Sequence, residues 1–451
     1  MDGRITILGA AESGVGAALL AKAKGYDVFV SDAGAIKPRY RAELEAAGIA
    51  YEEGGHTEER VLQAEEVIKS PGIPEKAAMV QRIRQEGIRI SSEIDFASRY
   101  TQAKLVAITG TNGKTTTTLL TYHLLRTAGL DVGLAGNVGD SFARKVLEQD
   151  HEVFVLEVSS FQLDDIHTFR PNIGILLNIT PDHLDRYDGM EAYAAAKFRL
   201  IERMRIGDVF IYNADDEQIA KRLNSTHLNM STELFTGAFY QNGTLRLPLL
   251  GYVEADAKVQ VSRQAVFGNL PLQGLHNGMN MSAAILAALR MGLSKAAIEE
   301  GLATFKNAPH RLEPVGQVNG VRFVNDSKAT NVEAAYYALG SFDAPIVWIA
   351  GGVDKGNNYE LLRPLVERHV KAIVCLGVDN AKLMAAFGET VSFIDETQSI
   401  EEAVSKAYHL ADNKDIVLLS PACASFDLFR NYEDRGEQFR QAVAHLQGIT
   451  F

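Results

Sequence analysis

Cysteine is nearly missing. Cys375 and Cys423 are the only two in 451 residues, which supports neither a disulfide framework nor a cysteine-built metal cluster. No stretch approaches the ~20 apolar residues that cross a bilayer, so membrane insertion is not expected. The opening MDGRITILGA enters a strand-like run without the basic segment or cleavage site of a secretory signal. These absences set the expectation of a cytoplasmic protein. Net positive charge is lacking too: a formal charge of −12 argues against a nucleic-acid partner. An acidic chain can still hold phosphates where backbone N–H groups and a few cations are gathered locally.

What is present is an ordinary globular composition, 46% hydrophobic and 23% charged. The length exceeds one core and predicts two to four domains of roughly 100–200 residues. Residues 4–96 alternate strand-like and helical segments (RITILGA, GAALLAKAKG, DVFVSD, RYRAELEAAG, EEVIKSPGI, AAMVQRIRQEG, IRISSEIDFA), the rhythm of a parallel sheet wrapped by helices. Residues 104–215 restart it with KLVAITG, VFVLEV, IGILLNI and DVFIYNA. Between 244 and 272 short alternating runs predict antiparallel hairpins, and NGMNMSAAILAALRMG and KAAIEEGLATF predict helices. KNAPHRLEPVGQ reads as a linker before VRFVND, PIVWIAGG, AIVCLG, SFID and IVLLSPA, strands of a third unit. The expectation is an α/β protein of three domains, 1–97, 98–307 and 308–451. The outer two are Rossmann-like, and the central one is a P-loop parallel sheet with a small antiparallel addition.

The central feature is LVAITGTNGKTTTTLL, an apolar strand, a Gly-rich turn, Lys-Thr and a helix. Gly110, Thr111, Asn112 and Gly113 can present backbone N–H groups to phosphate oxygens. Lys114 can reach the terminal phosphates, and the hydroxyls of Thr115 and Thr116 open the helix, with Thr115 placed for Mg²⁺. The usual spacing has a further glycine at position 108, where this chain has Ile108. VFVLEVSS delivers Glu157 at a strand's C-terminal end, where open α/β sheets place ligand chemistry and where a carboxylate can hold Mg²⁺.

Lys197 stands out in GMEAYAAAKFRLIERM. At about 100° per residue it falls in the middle of an apolar arc of Met190, Tyr193, Ala194, Leu200, Ile201 and Met204. Snorkelling of its ammonium to water is the plain explanation. The competing one is a lysine among metal ligands, since NITPDHLDRY sends His183 and two carboxylates toward the same edge. Such a lysine can take up carbon dioxide and bind Mg²⁺ as a carbamate. In the third unit FVNDSKATN presents Asp326, Ser327, Lys328, Thr330 and Asn331, AGGVDKGNN presents Asp354 and Lys355, and SPACASFDLF presents Ser425 at an expected helix start. Thr330 or Asn331 could equally be a helix cap. The lysines suggest a cationic pocket for a carboxylate. GAAESGVGAA, with Gly9, Gly14 and Gly16, is an irregular dinucleotide fingerprint that alone would suggest NAD.

TGTNGKTT, LEVSSFQL, NITPDHLDRY, AAKFRLI, LHNGMN, PHRLE, NDSKATN, GGVDKG and LLSPACASFDLFRNYEDRG together resemble the Mur ligases in order and spacing, over essentially the whole chain. NDSKATN with SPACASFDLF is similar to the branch that adds D-glutamate to UDP-N-acetylmuramoyl-L-alanine. The Asp-Asn-Pro-Arg signature of the diaminopimelate-adding relatives is not found. The folate polyglutamate ligases share the phosphate loop but not these C-terminal loops.

The resemblance implies an ADP-forming ligase of peptidoglycan precursor synthesis. ATP would phosphorylate the substrate carboxylate, and the D-glutamate amine would capture the acyl phosphate. It implies two Mg²⁺ ions (Mn²⁺ as a substitute), one on Thr115 and Glu157, one on His183 and carbamylated Lys197, with Lys114 on ATP. Asn277, Asn280, Arg311, Asp326 and Lys328 are similar to ATP contacts. Ser13, Gly14, Asp32, Ser70 and Gly72 would hold the UDP end of the sugar nucleotide. Asn137, Ser159 and Gln162 would hold the muramoyl-alanine arm, and Thr330, Lys355, Ser425, Phe426 and Tyr432 the D-glutamate. A monomer is expected, with these small molecules as its partners and neither nucleic acid nor membrane insertion. A P-loop switch, a nicotinamide oxidoreductase and a non-catalytic binder are the readings from other classes.

Overall fold

The computed structural model describes residues 3–182, 186–241, 243–249, 263–268, 270–272 and 274–448. The chain divides into two compact units: Met1–Phe239 with Leu245–Phe267 and Met279–Phe305, and Tyr240–Thr244 with Gly268–Gly278 and Lys306–Phe451.

Within the first unit, the described residues form two parallel sheets. The N-terminal one has the strand order Ala50–Glu53, Asp27–Asp32, Arg4–Leu8, Glu66–Lys69, Arg89–Ser92. The central one runs Ser231–Phe235, Val209–Asn213, Ile173–Leu176, Lys104–Thr109, Val153–Glu157, Val132–Gly136. Inner strands such as Ile173–Leu176 and Val153–Glu157 are buried along their length, as expected of a parallel sheet covered on both faces. Thr244–Leu249 pairs antiparallel with Arg263–Phe267; residues 250–262 of the expected hairpin region lie outside the described residues.

Glycine spacing explains how the first helix sits. A Cβ on Gly14 would lie 1.9 Å from the Gly9 carbonyl oxygen, so the helix Glu12–Ala23 packs onto its strand only without a side chain there. Ionic contacts tie the two sheets together. Lys69 and Arg84 both pair with the buried Asp165, at 3.1 and 2.5 Å. One Asp95 oxygen accepts the backbone N–H groups of His167, Thr168 and Phe169 at 2.8, 2.5 and 2.7 Å.

The second unit carries a sheet in the order Glu313–Val318, Val321–Asn325, Ile416–Leu419, Ile346–Ala350, Val370–Leu376, Phe393–Thr397, parallel except for the antiparallel first pair. Here the structure corrects the linker reading of KNAPHRLEPVGQ: Glu313–Val318 is an edge strand, entered through His310 and Leu312 at positive φ (64° and 45°). The expected helix start at Ser425 is also corrected. Residues 425–429 form one turn closed by the Phe429 N–H to the Ser425 carbonyl at 3.0 Å, and the helix begins at Tyr432 behind the Asn431 cap. Ahead of that turn, Ala424 forms an isolated bridge to Val353.

Candidate active site

The phosphate loop is built as its residue types require. Gly113 takes φ 84° as the N-cap of the helix Lys114–Thr127, and a Cβ there would meet the Asn280 carboxamide oxygen at 2.3 Å. Ile108 is explained by the ladder: the strand continues through it, fully buried and paired with Glu157, so the loop opens only at Gly110. The Lys114 ammonium donates to the carbonyls of Gly110 at 2.8 Å and Thr111 at 2.7 Å.

Sequence reasoning missed the residue that fixes this loop. Asn178, at the end of the neighbouring strand, accepts the N–H groups of Thr111 (3.0 Å) and Asn112 (2.8 Å) and donates to the Asn112 carbonyl (3.0 Å). The signal was its place as the first polar residue of NITPDHLDRY, but only the later His and Asp were read as chemistry.

Lys197 does not snorkel. It is 1% exposed, its ammonium donates to the Gly110 carbonyl at 2.9 Å and lies 4.5 Å from the centroid of the Tyr193 ring. Burial, and then the neighbouring Lys114 charge, hold its pKa well below the ordinary lysine value. The helix that carries it, Met190–Phe198, gives way to a 3₁₀ turn at Arg199–Ile201 rather than continuing to Met204. The remaining arc is as expected: Tyr193, Ala194, Leu200, Ile201 and Met204 are buried. His183 lies outside the described residues.

Glu157 is 2% exposed. One carboxylate oxygen accepts the Asn137 side-chain amide at 2.7 Å and the other is buried without a hydrogen-bond partner. An orphaned carboxylate oxygen at a strand end beside the phosphate loop fits a cation. Among the described residues no group of three or more His, Cys, Asp and Glu converges, whereas the expected set relies on a threonine hydroxyl, a lysine and His183. Thr115 and the buried Thr116 lie in the first turn of the loop helix. Ser159 and Gln162 form a capping box on the short helix Ser160–Leu163, each satisfying the other's backbone N–H.

At the N-terminal sheet, Asp32 accepts the N–H groups of Ala10 at 2.6 Å and Gly34 at 2.8 Å, so it organises the turn that leads into the helix carrying Ser13 and Gly14. The Ser70 hydroxyl donates to the Gly9 carbonyl at 3.4 Å, and Gly72 leaves open space around its Cα.

In the second unit, Asp326 is buried and accepts from the Ser420 hydroxyl at 2.9 Å and the Leu312 N–H at 3.1 Å. Burial pushes its carboxyl up to about 7. Arg311 directly precedes Leu312. The Lys328 ammonium lies 3.6 Å from the centroid of the Tyr432 ring. Asn331, not Thr330, is the helix cap, accepting the Ala334 N–H at 2.8 Å. Lys355 and Phe426 are exposed and Ser425 is buried. Asn277 falls in this unit and Asn280 in the first.

Arg435 was quoted in the sequence but assigned nothing. It is 1% exposed and donates to the carbonyls of Ser327 (2.9 Å), Cys423 (3.2 Å) and Gly351 (3.4 Å), as well as the Ser327 hydroxyl (3.0 Å). Three loops at the ends of three strands are thereby fixed to one guanidinium.

A phosphate loop on the central sheet and polar strand-end loops on each of the other two sheets are the parts of an ATP-dependent ligase, and the comparisons give the same class. Residues 4–79 match the MurD N-terminal domain, 108–288 the Mur ligase middle domain and 310–423 the Mur ligase glutamate ligase domain. A UDP-N-acetylmuramoylalanine--D-glutamate ligase of Christiangramia forsetii is 49% identical over 99% of this chain and 100% of its own length. The protein of that name from Salinibacter ruber is 43% identical over 98% of each chain. The chain belongs to the Mur ligase family. Among solved structures, a pseudomurein peptide ligase type C from Methanothermus fervidus superposes with TM-score 0.61 at 17% identity, over 99% of this chain and 100% of that one. UDP-N-acetylmuramate-alanine ligase from Thermotoga maritima gives 0.58 at 18% identity over 99% of each. At that identity they speak for the three-domain fold. No described helix is long and apolar enough to cross a membrane.

Proposed function

We propose that this protein is an ADP-forming acid–amino-acid ligase that adds D-glutamate to UDP-N-acetylmuramoyl-L-alanine in peptidoglycan precursor synthesis. It works in the cytoplasm as a monomer, with domains 1–97 for the sugar nucleotide, 98–307 for ATP and 308–451 for the amino acid. The observation that carries the reading is the buried Lys197 on the Gly110 carbonyl of the phosphate loop, in a chain 49% identical along its whole length to a ligase of this name.

A carboxylate is a poor electrophile, so the reaction begins by making it a better one. A carboxylate oxygen of the alanyl end attacks the γ-phosphorus and ADP leaves. The D-glutamate nitrogen attacks the acyl carbon, inorganic phosphate leaves with the bonding electrons, and the nitrogen loses a proton. Transfer of this kind depends on positioning and charge neutralisation. Gly110 to Thr116, with Asn277, Asn280, Arg311, Asp326 and Lys328, position ATP. Asn137, Ser159 and Gln162 position the muramoyl arm. Ser13, Gly14, Asp32, Ser70 and Gly72 hold the UDP end, and Thr330, Lys355, Ser425, Phe426 and Tyr432 hold D-glutamate. Thr115, Glu157, His183 and Lys197 would hold Mg²⁺, which when bound neutralises charge on the phosphate oxygens. A buried lysine whose proton is held weakly has the neutral amine that carbamate formation needs.

The test is ADP release with and without each substrate. Strict dependence on both UDP-N-acetylmuramoyl-L-alanine and D-glutamate supports the ligase. Equal release in their absence identifies a nucleotide switch instead.

A further inference from the structure

Arg186 has no part in the roles above, yet it joins two of the places they use. Its guanidinium lies 4.4 Å from the centroid of the Phe161 ring. Two of its nitrogens donate to the backbone, one to the Gly72 carbonyl at 3.3 Å and one to the Pro71 carbonyl at 3.4 Å. Pro71 and Gly72 follow the strand Glu66–Lys69 of the N-terminal sheet. Phe161 is in the helix Ser160–Leu163, which follows the strand Val153–Glu157 of the central sheet. One side chain therefore bridges the loop expected at the sugar nucleotide and the capped turn expected at the muramoyl arm.

The contacts continue inward. Phe161 stacks on Tyr187, with centroids 5.8 Å apart and planes within 9°. Tyr187 donates to Asp164 at 2.9 Å, and burial raises the pKa of both groups, which keeps this hydrogen bond in a poorly solvated place. Tyr187 also meets Tyr193 at 5.3 Å, and the Tyr193 hydroxyl lies 3.2 Å from that of Thr111 in the phosphate loop. A guanidinium over an aromatic face gains attraction that a neutral side chain of equal length lacks, and its planar fork serves two carbonyls at once.

We propose that Arg186 is a positioning residue for the sugar-nucleotide substrate: it fixes the 71–72 loop against Phe161, so that the arm between the diphosphate and the reacting carboxylate is held at a set distance from the phosphate loop. This rests on the ligase reading given above. Loss of Arg186 loosens the arm while leaving the ATP and amino-acid sites as they are.

The experiment is steady-state kinetics on the full chain for Arg186→Met, Arg186→Lys, Phe161→Leu and the Arg186→Met/Phe161→Leu double variant, with thermal melting of each. In Arg186→Met the KM for UDP-N-acetylmuramoyl-L-alanine should rise about ten- to thirty-fold, while the KM values for ATP and D-glutamate stay within about three-fold. Arg186→Lys should be intermediate. The double variant should be no worse than Arg186→Met alone, because each partner acts through the other. UDP, which meets the 71–72 loop but lacks the arm, should lose less affinity in Arg186→Met than the full sugar nucleotide does, and an equal loss for both would overturn the proposal. An unchanged sugar-nucleotide KM, a common rise in all three KM values, or additive effects in the double variant would overturn the proposal. Should Arg186→Met not fold, Arg186→Lys decides by the same KM comparison. Wild type that makes no ADP with both substrates present defeats the ligase reading and this proposal with it; active wild type with an indifferent Arg186 defeats only the latter.

Discussion

Lys114 and Lys197 donate to one and the same carbonyl oxygen, that of Gly110, at 2.8 and 2.9 Å. Two ammonium groups on one acceptor repel each other, and only Lys197 is fully buried. Burial therefore weakens the hold of Lys197 on its proton, with the Lys114 charge adding to the effect.

Lys197→Ala tests what this arrangement is for. It should reduce kcat by about 10²-fold or more, the scale of removing a group that acts on developing charge. Partial recovery with added short carboxylates would support a carbamate at this position. Full activity without rescue would remove Lys197 from the mechanism.

Asn178→Ala removes three hydrogen bonds from the phosphate loop. The KM for ATP should rise about ten-fold or more, and the protein should lose about 1–3 kcal/mol of stability, the usual cost of stranded backbone groups. ATP titration and denaturant unfolding measure the two effects; an unchanged KM would mean that the loop holds its shape without this side chain.

Glu93 gives a pH signature. It is buried between the first two sheets, accepts the Ala143 N–H with one oxygen and leaves the other without a partner. Burial raises its pKa from 4.5 to about 7, with Glu12 adding to the effect. Between those values the folded protein holds a proton that the unfolded chain has released, so stability falls as pH rises through this window, and the loss is complete above about 7. Glu93→Gln keeps the acceptor and removes the charge. It should stabilise the protein by about 2–3 kcal/mol at pH 8 and by almost nothing at pH 4. Melting curves at the two pH values check the sign, and equal effects at both would contradict it.

Arg435→Met should strand the carbonyls of Ser327, Cys423 and Gly351 and cost about 2–4 kcal/mol. If those loops hold the amino acid, the KM for D-glutamate should rise more than that for the sugar nucleotide. A purely structural role predicts lower stability with neither KM changed.

Much of this was legible in the sequence, and what was not follows a pattern. The fully buried strands Val153–Glu157, Ile346–Ala350 and Ile416–Leu419 announce themselves as apolar runs. The strands Ala50–Glu53, Val132–Gly136, Ser231–Phe235 and Glu313–Val318 were not read, and each lies at a sheet edge. An edge strand buries less and so carries a weaker hydrophobic pattern; Ala50–Glu53 has no fully buried residue. In the site, Lys114 was legible from the Gly-rich spacing before a helix, Glu157 from its place at the end of a buried apolar strand, and Lys197 because a charge in an apolar arc costs free energy unless it is used or paired. Asn178 and Arg435 were not, because their partners are backbone carbonyls and amides of distant segments, which leave no trace in local pattern. Ser425 was misplaced for a related reason: the helix start is set by the Asn431 cap, and a single turn at 425–429 has the same local composition as a helix's first turn.

The central claim is that the substrate carboxylate takes the γ-phosphoryl group before the amide forms. The direct measurement uses UDP-N-acetylmuramoyl-L-alanine labelled with ¹⁸O in both carboxylate oxygens, with mass analysis of the phosphate released. The account predicts one labelled oxygen in each phosphate formed with each amide bond. Amide formation with unlabelled phosphate would contradict it.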